Sequence, residues 1–163
     1  LNNPDTMKRM ASEGHEVACH TYDHTHMGDE VTMDDIVSAD NAIEEASGVR
    51  PASFRSPGGG TTDAIREYCK SEGMPLYYWS IDTRDWETRD CDSIVAMVKE
   101  QAADGDIVLM HNIYESTADA VEQIVPWLID EGYTLVTTSE LVKKCSGKEP
   151  VPGVQYITST YSN

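Results

Sequence analysis

The sequence predicts an α/β fold built on parallel strands. Three observations carry that reading: short apolar runs alternate with amphipathic segments, a glycine closes most of the amphipathic segments, and the connections between apolar runs are long enough to hold a helix. Pro4 to Glu13 is the first predicted helix, with proline suiting its first turn and Gly14 its C-terminal end. Val17-Ala18-Cys19 follows as a strand. Thr32 caps a helix to about Ser47, where Asp35 completes a capping-box pattern, Ile36, Ala39, Ile43 and Ala46 form one face, and Gly48 stops it. Pro51 to Arg55 is extended, Thr62 to Glu72 is a helix ended by Gly73, and Leu76 to Ile81 is an aromatic-rich strand. A helix over Ser93 to Ala103, Gly105 and the strand Ile107 to Met110 repeat the unit. Thr117 then opens a helix to about Glu131, with Pro126 inside it, followed by a strand over Tyr133 to Val136. A last helix runs from about Ser139 to Cys145, and the tail to Asn163 is expected to be irregular. Successive strands joined through helices are parallel neighbours with right-handed crossovers, which gives a parallel sheet or a barrel.

Composition excludes several classes. The 163 residues suit one domain, with no linker or change of composition to divide residues 1–163. A formal net charge of −17 makes nucleic acid and anionic membrane poor partners. No apolar run approaches the roughly 20 residues that cross a bilayer. The four cysteines form no C-x-x-C pair, which argues against a zinc ribbon or a dense disulfide framework and favours buried free thiols.

In parallel α/β folds the ligand site lies at the carboxyl ends of the strands. The chemistry-bearing residues collect there. The strand ending at Cys19 delivers His20-Thr21-Tyr22-Asp23-His24, and the one ending at Arg55 runs into Arg55-Ser56-Pro57-Gly58-Gly59-Gly60. Ile81 leads into Asp82-Thr83-Arg84-Asp85-Trp86, and the strand from Ile107 delivers His111. Singly each has an ordinary explanation: surface or core histidines, an ion-pairing arginine, a flexible turn, a helix cap. The glycine run could also cradle a phosphate, but it lacks the Gly-Lys-Ser/Thr of a phosphate-binding loop. Four motifs at one edge instead suggest metal-assisted hydrolysis. Two neutral imidazoles with a carboxylate would hold a divalent cation and leave room for water, whose pKa would fall towards about 7. A histidine from a separate strand, paired with a carboxylate such as Asp85, would serve as acid to the leaving group. A backbone N–H at Gly58 could approach an oxyanion closely.

These motifs resemble those of the polysaccharide deacetylases of carbohydrate esterase family 4, the NodB homology domain. That family shows H-[S/T]-x-x-H, R-x-P, D-x-x-D-W and L-x-H in the same order. Here they stand as His20 to His24, Arg55-Ser56-Pro57, Asp82 to Trp86, and Leu109-Met110-His111. The resemblance implies a distorted (β/α) barrel and hydrolysis of an acetyl group on an acetylated polysaccharide such as peptidoglycan, chitin oligomers or xylan. It implies His20 and His24 as metal ligands, with zinc the expected ion and cobalt or nickel as substitutes. His111 would be the general acid tuned by Asp85, Arg55 would orient the catalytic carboxylate, and Gly58 would offer its N–H to the oxyanion. Trp86 and Leu109 would form the apolar wall around the acetyl methyl. An extracellular or cell-surface location follows from the substrate class by resemblance alone.

Two departures accompany the match. The residue after the motif's proline is usually aromatic in the family and is Gly58 here. The family's opening T-F-D-D-G-like motif, which supplies the base and the third metal ligand, has no counterpart. The pair Asp34-Asp35 falls in a helix's first turn, where acidic residues favour the dipole. Asp23 and Cys19 are the remaining candidates near the ligands. The sequence is therefore expected to represent a barrel without its first two strands, completed by residues before Leu1 or by another chain. By itself it should bind metal weakly and turn over little. The contrasting expectation is a glycan-binding pseudoenzyme that keeps the cleft without the chemistry.

Overall fold

The structure is a computed structural model and describes residues 3–159. Among the described residues there are seven α-helices: α1 Pro4–Ser12, α2 Met33–Ser47, α3 Asp63–Ser71, α4 Asp85–Thr88, α5 Cys91–Gln101, α6 Glu115–Asp130 and α7 Thr138–Ser146. The strands are short: β1 Leu76–Tyr77, β2 Ile81–Asp82, β3 Val108–Leu109 and β4 Gln155–Tyr156. Single 3-10 turns lie at Gly28–Glu30 and Pro57–Gly59.

The strands pair in parallel, as the alternation predicts. Cys19 bridges Phe54, Phe54 bridges Leu76, and β1 pairs with β4 in the register Leu76 to Gln155. A second ladder joins β2 to β3, Ile81 opposite Val108 and Asp82 opposite Leu109. The hydrogen bonds extend past the formal strands. Cys19 N–H donates to Ser53 C=O and Arg55 N–H to Cys19 C=O, both at 2.9 Å, so the segments predicted around Cys19 and Arg55 are in the ladder.

Three expectations change. The strand predicted over Leu76 to Ile81 is broken into β1 and β2, and the Ser80 hydroxyl at the break donates to the Asp106 carboxylate at 2.7 Å. Tyr133 to Val136 forms no strand among the described residues. An extended segment becomes a strand only where another backbone pairs with it, and here Tyr133 instead anchors to the helices through its hydroxyl bond to Ala102 C=O at 2.9 Å, with Leu135 49% exposed. The tail, expected to be irregular, supplies β4. Tyr156 is buried against Tyr77, and beyond it Ser159 N–H reaches Gly105 C=O at 2.9 Å, so the tail lies between β1 and the start of β3.

Local chemistry sets the helix ends. Thr32 and Asp35 form the expected capping box of α2, and Gly48 ends it in the left-handed region at φ 80°. A second capping box, Thr137 with Glu140, opens α7, and Asp90 caps α5, which starts two residues before the expected Ser93. α6 begins at Glu115 and continues through Pro126.

Ile36, Ala39, Ile65 and Cys69 of α2 and α3 pack on Cys19, Phe54 and Leu76, and α5 packs on α6 through Ile94, Val98, Ala120 and Ile124. Phe54 is fully buried at the junction of three ladder members. Phe54→Ala is expected to cost about 3–5 kcal/mol in a denaturant titration, because the ring leaves a cavity that paired strands cannot close. Of the cysteines, all free, Cys19 and Cys69 are buried as expected, whereas Cys145 is exposed on the last turn of α7.

Candidate active site

The parallel ladders direct the carboxyl ends of the strands to one edge, and the loops leaving that edge carry the four motifs. After Cys19 the chain turns through two left-handed residues, Thr21 at φ 64° and His24 at φ 61°. Such backbone is costly for residues with a Cβ and persists where the surroundings fix it. Here the turn brings His20 and His24 edge to face, ring centroids 5.1 Å apart. His20 Nδ1–H donates to the Arg55 carbonyl at 2.6 Å. A carbonyl can only accept, so this bond fixes the tautomer and leaves Nε2 with its lone pair free. Burial and then the Arg55 guanidinium push the His20 pKa down to about 4, keeping the ring neutral.

A neutral imidazole with one nitrogen held by a carbonyl and the other bare is the form in which histidine ligates a metal, and His20 and His24 therefore fit as two ligands of one ion. Among the described residues no third histidine, cysteine or carboxylate joins them. The candidates named from the sequence are engaged elsewhere. Asp23 Oδ1 accepts from Thr25 N–H at 3.0 Å, and Asp35 Oδ2 holds His26 Nδ1 at 2.9 Å while capping α2. The Cys19 thiol points to Ile36 C=O at 3.9 Å on the opposite side of the ladder, and burial pushes its pKa far up. Arg55 is half-buried, and its side chain makes no ion pair with any described residue. A partly desolvated guanidinium without a counter-ion is costly, and the cost disappears when a carboxylate sits beside it.

The second cluster is built on Asp85, the first residue of α4, which is fully buried. Its Oδ1 accepts from His111 Nδ1 at 2.7 Å and from Trp86 N–H at 2.9 Å; its Oδ2 accepts from His111 N–H at 2.6 Å and from the Thr117 hydroxyl at 2.8 Å. Burial alone would raise the carboxyl pKa, but the bonds from His111 and Thr117 outweigh it and hold it below the ordinary value. Ionised, Asp85 accepts the hydrogen bond of His111 Nδ1–H and leaves Nε2 as the free ring nitrogen. His20 and His111 lie close enough to influence each other, so the two clusters share one electrostatic neighbourhood. Thr83 Oγ1 donates to Leu109 C=O at 2.8 Å, tying the Asp82 to Trp86 loop to β3.

The remaining residues occupy the rim and the floor. Trp86 is 47% exposed beside Asp85. Leu109 is buried and lines a cleft of about 250 Å³ with Arg55, Phe54, Trp79 and Met110. Gly58 is exposed on the Pro57–Gly59 turn at φ 67°, and a Cβ there would stand 3.0 Å from Met27 Cε. Met27, 51% exposed, is the side chain nearest that position. Gly58→Ala should destabilise by about 1–2 kcal/mol in thermal unfolding, and adding Met27→Ala should not restore it, because the strain is in the backbone. Three parts of this arrangement were outside the sequence reading: Thr117 as a donor to Asp85, Met27 beside Gly58, and the Arg55 carbonyl as the partner of His20. Only Thr117 carried a signal, a hydroxyl six residues after His111 at a helix start.

Residues 1–77, which include the His20 and Arg55 motifs, match the family model for polysaccharide deacetylase. The chain is 40% identical to the peptidoglycan-N-acetylmuramic acid deacetylase PdaC of Bacillus subtilis over 146 residues, 86% of this chain and 31% of that protein. It spans about a third of the length of the first curated relatives it matches. Its fold superposes on the structure of T48 deacetylase with substrate at a TM-score of 0.83 and 38% identity, covering 95% of this chain and 76% of that one. It also superposes on BA3943, a CE4 family pseudoenzyme from Bacillus anthracis, at a TM-score of 0.75 and 26% identity, covering 86% and 50%. The chain has the α/β fold of these proteins and belongs to the polysaccharide deacetylase family, carbohydrate esterase family 4.

Proposed function

We propose that these residues form a single domain that removes acetyl groups from a cell-wall or related polysaccharide by metal-dependent hydrolysis. The observation that carries the reading is the meeting of two chemically distinct clusters at one sheet edge: neutral His20 beside His24, and His111 locked onto buried Asp85. His20 and His24 hold the divalent ion, zinc by preference and cobalt or nickel as substitutes. When bound, the ion polarises the acetyl carbonyl and makes water nucleophilic at neutral pH. Gly58 N–H donates to the carbonyl oxygen as negative charge develops on it. His111, with Nδ1–H on Asp85, protonates the departing amine or alcohol from Nε2. Trp86 and Leu109 enclose the methyl group, Trp86 from the rim and Leu109 from the cleft.

The two-imidazole ligand set and the Arg55 guanidinium, without an ion pair among the described residues, support a further step. A carboxylate pair from outside these 163 residues, supplied by preceding chain or by another chain, completes the metal centre and the barrel. One carboxylate serves as third ligand and the other, oriented by Arg55, as base. The relatives' peptidoglycan substrates favour peptidoglycan over chitin oligomers or xylan, and with it an extracellular or cell-surface location. Among the described residues no helix is long and apolar enough to cross a membrane.

The pseudoenzyme reading keeps one observation on its side, since no third potential ligand joins His20 and His24 among the described residues. Acetate release decides between them. The protein together with the chain that supplies the carboxylate pair, incubated with acetylated peptidoglycan, should release acetate with added zinc or cobalt and stop with a chelator. Glycan binding without acetate release under any metal would identify the pseudoenzyme.

A further inference from the structure

We propose that Arg89, stacked on Tyr114 at the rim of the site, binds a carboxylate carried by the glycan and so selects substrates with an anionic sugar substituent; this rests on the deacetylase reading above. The Arg89 guanidinium carbon lies 4.8 Å from the centre of the Tyr114 ring, whose own centre is 6.4 Å from that of His111. The cation is therefore within a disaccharide's reach of the acid at the reacting bond.

Its placement is built rather than incidental. Arg89 sits in the left-handed region at φ 47°, held by its N–H to Asp85 C=O at 3.0 Å. Tyr114 is the N-cap residue of α6, and its carbonyl receives Thr117 N–H at 3.2 Å, while the Thr117 hydroxyl binds the Asp85 carboxylate. Arg89 and Tyr114 thus hang from the same residue that orients His111, which fixes their distance from the chemistry.

The charge pattern gives the pair its ligand. Asp and Glu total 29 against 12 Lys and Arg, so a free cation readily finds an internal carboxylate. Arg9, Arg50 and Arg84 have done so, Arg66 bonds Gln155, and the half-buried Arg55 stands with the metal cluster, which leaves Arg89 as the exposed arginine without an ion pair among the described residues. Arg89 is exposed, lies over an aromatic face and makes no ion pair among the described residues. Stacking fixes the guanidinium plane and leaves its edge N–H groups for a planar two-oxygen acceptor. A net charge of −17 repels an anionic polymer at long range, so such a substrate needs a local cation to dock in register.

The test compares binding of two oligosaccharides identical except at one group: a muramyl-containing glycan with its lactyl carboxylate free, and the same glycan with that carboxylate amidated. The wild-type protein should bind the free acid roughly tenfold or more tightly, with the preference shrinking at high salt. Arg89→Gln should abolish the preference and leave affinity for the amide unchanged, and Arg89→Lys should retain part of it. Absence of a preference in the wild type, its survival in Arg89→Gln, or equal weakening of both ligands would overturn the proposal. Acetate release from the same two glycans is measured in parallel. Release from neither contradicts the deacetylase reading, while the binding comparison still decides the role of Arg89.

Discussion

Asp85→Asn lowers the rate of acetate release by roughly 10²–10⁴-fold. The carboxylate gathers four donors, two of them from His111, and is fully buried. An asparagine retains one acceptor oxygen and presents an N–H₂ that cannot receive the proton of His111 Nδ1, so the tautomer that leaves Nε2 facing the substrate is no longer enforced. Thr117→Ala removes a single donor and should cost far less in rate. The substitution also has a pH signature. The carboxyl pKa is held below its ordinary value of about 3.9, so Asp85 contributes stability at pH values above that figure. That contribution fades as pH falls through the folded-state value. Denaturation midpoints of the wild type and Asp85→Asn should therefore differ most near neutrality and converge in acid. A constant gap across the pH range would mean that the carboxylate's charge is not what the four donors hold.

His20→Ala, and separately His24→Ala, weakens metal binding by at least roughly 100-fold and takes acetate release to background. Each removes one of the two imidazoles within ligating reach of each other, and no third donor joins them among the described residues. His26→Ala is the control. Its ring is held by Asp35 at 2.9 Å, so the variant should keep metal uptake and activity. Equal losses in all three variants, read by calorimetry with zinc, would place the effect in the fold of the loop instead of in ligation.

The parts of this molecule that could be read from sequence are those whose information is local. Apolar runs between amphipathic segments gave the parallel pairing, and His20, Arg55, Asp85 and His111 stood out because four reactive side chains fell at four consecutive strand ends. Tyr133 to Val136 has strand composition but no neighbour among the described residues, and neighbours are not encoded in the segment itself. β4 escaped for the opposite reason: Gln155-Tyr156 is too brief to show a period, yet it is fixed by pairing with β1 and by burial of Tyr156. The site was missed where backbone or distant chain did the work. The Arg55 motif draws attention to its guanidinium, while its carbonyl is what sets the His20 tautomer. Thr117 meets Asp85 across 32 positions of sequence, a contact that only the packing of α6 against the α4 loop creates.

The central claim is that His20 and His24 together hold the ion that works against His111. Anomalous diffraction from cobalt-soaked crystals of the protein tests it directly. A single strong peak shared by the His20 and His24 rings, on the side facing His111 Nε2, is the expected result. A peak on only one of the two histidines, or at a site away from both while the protein still releases acetate, would contradict it.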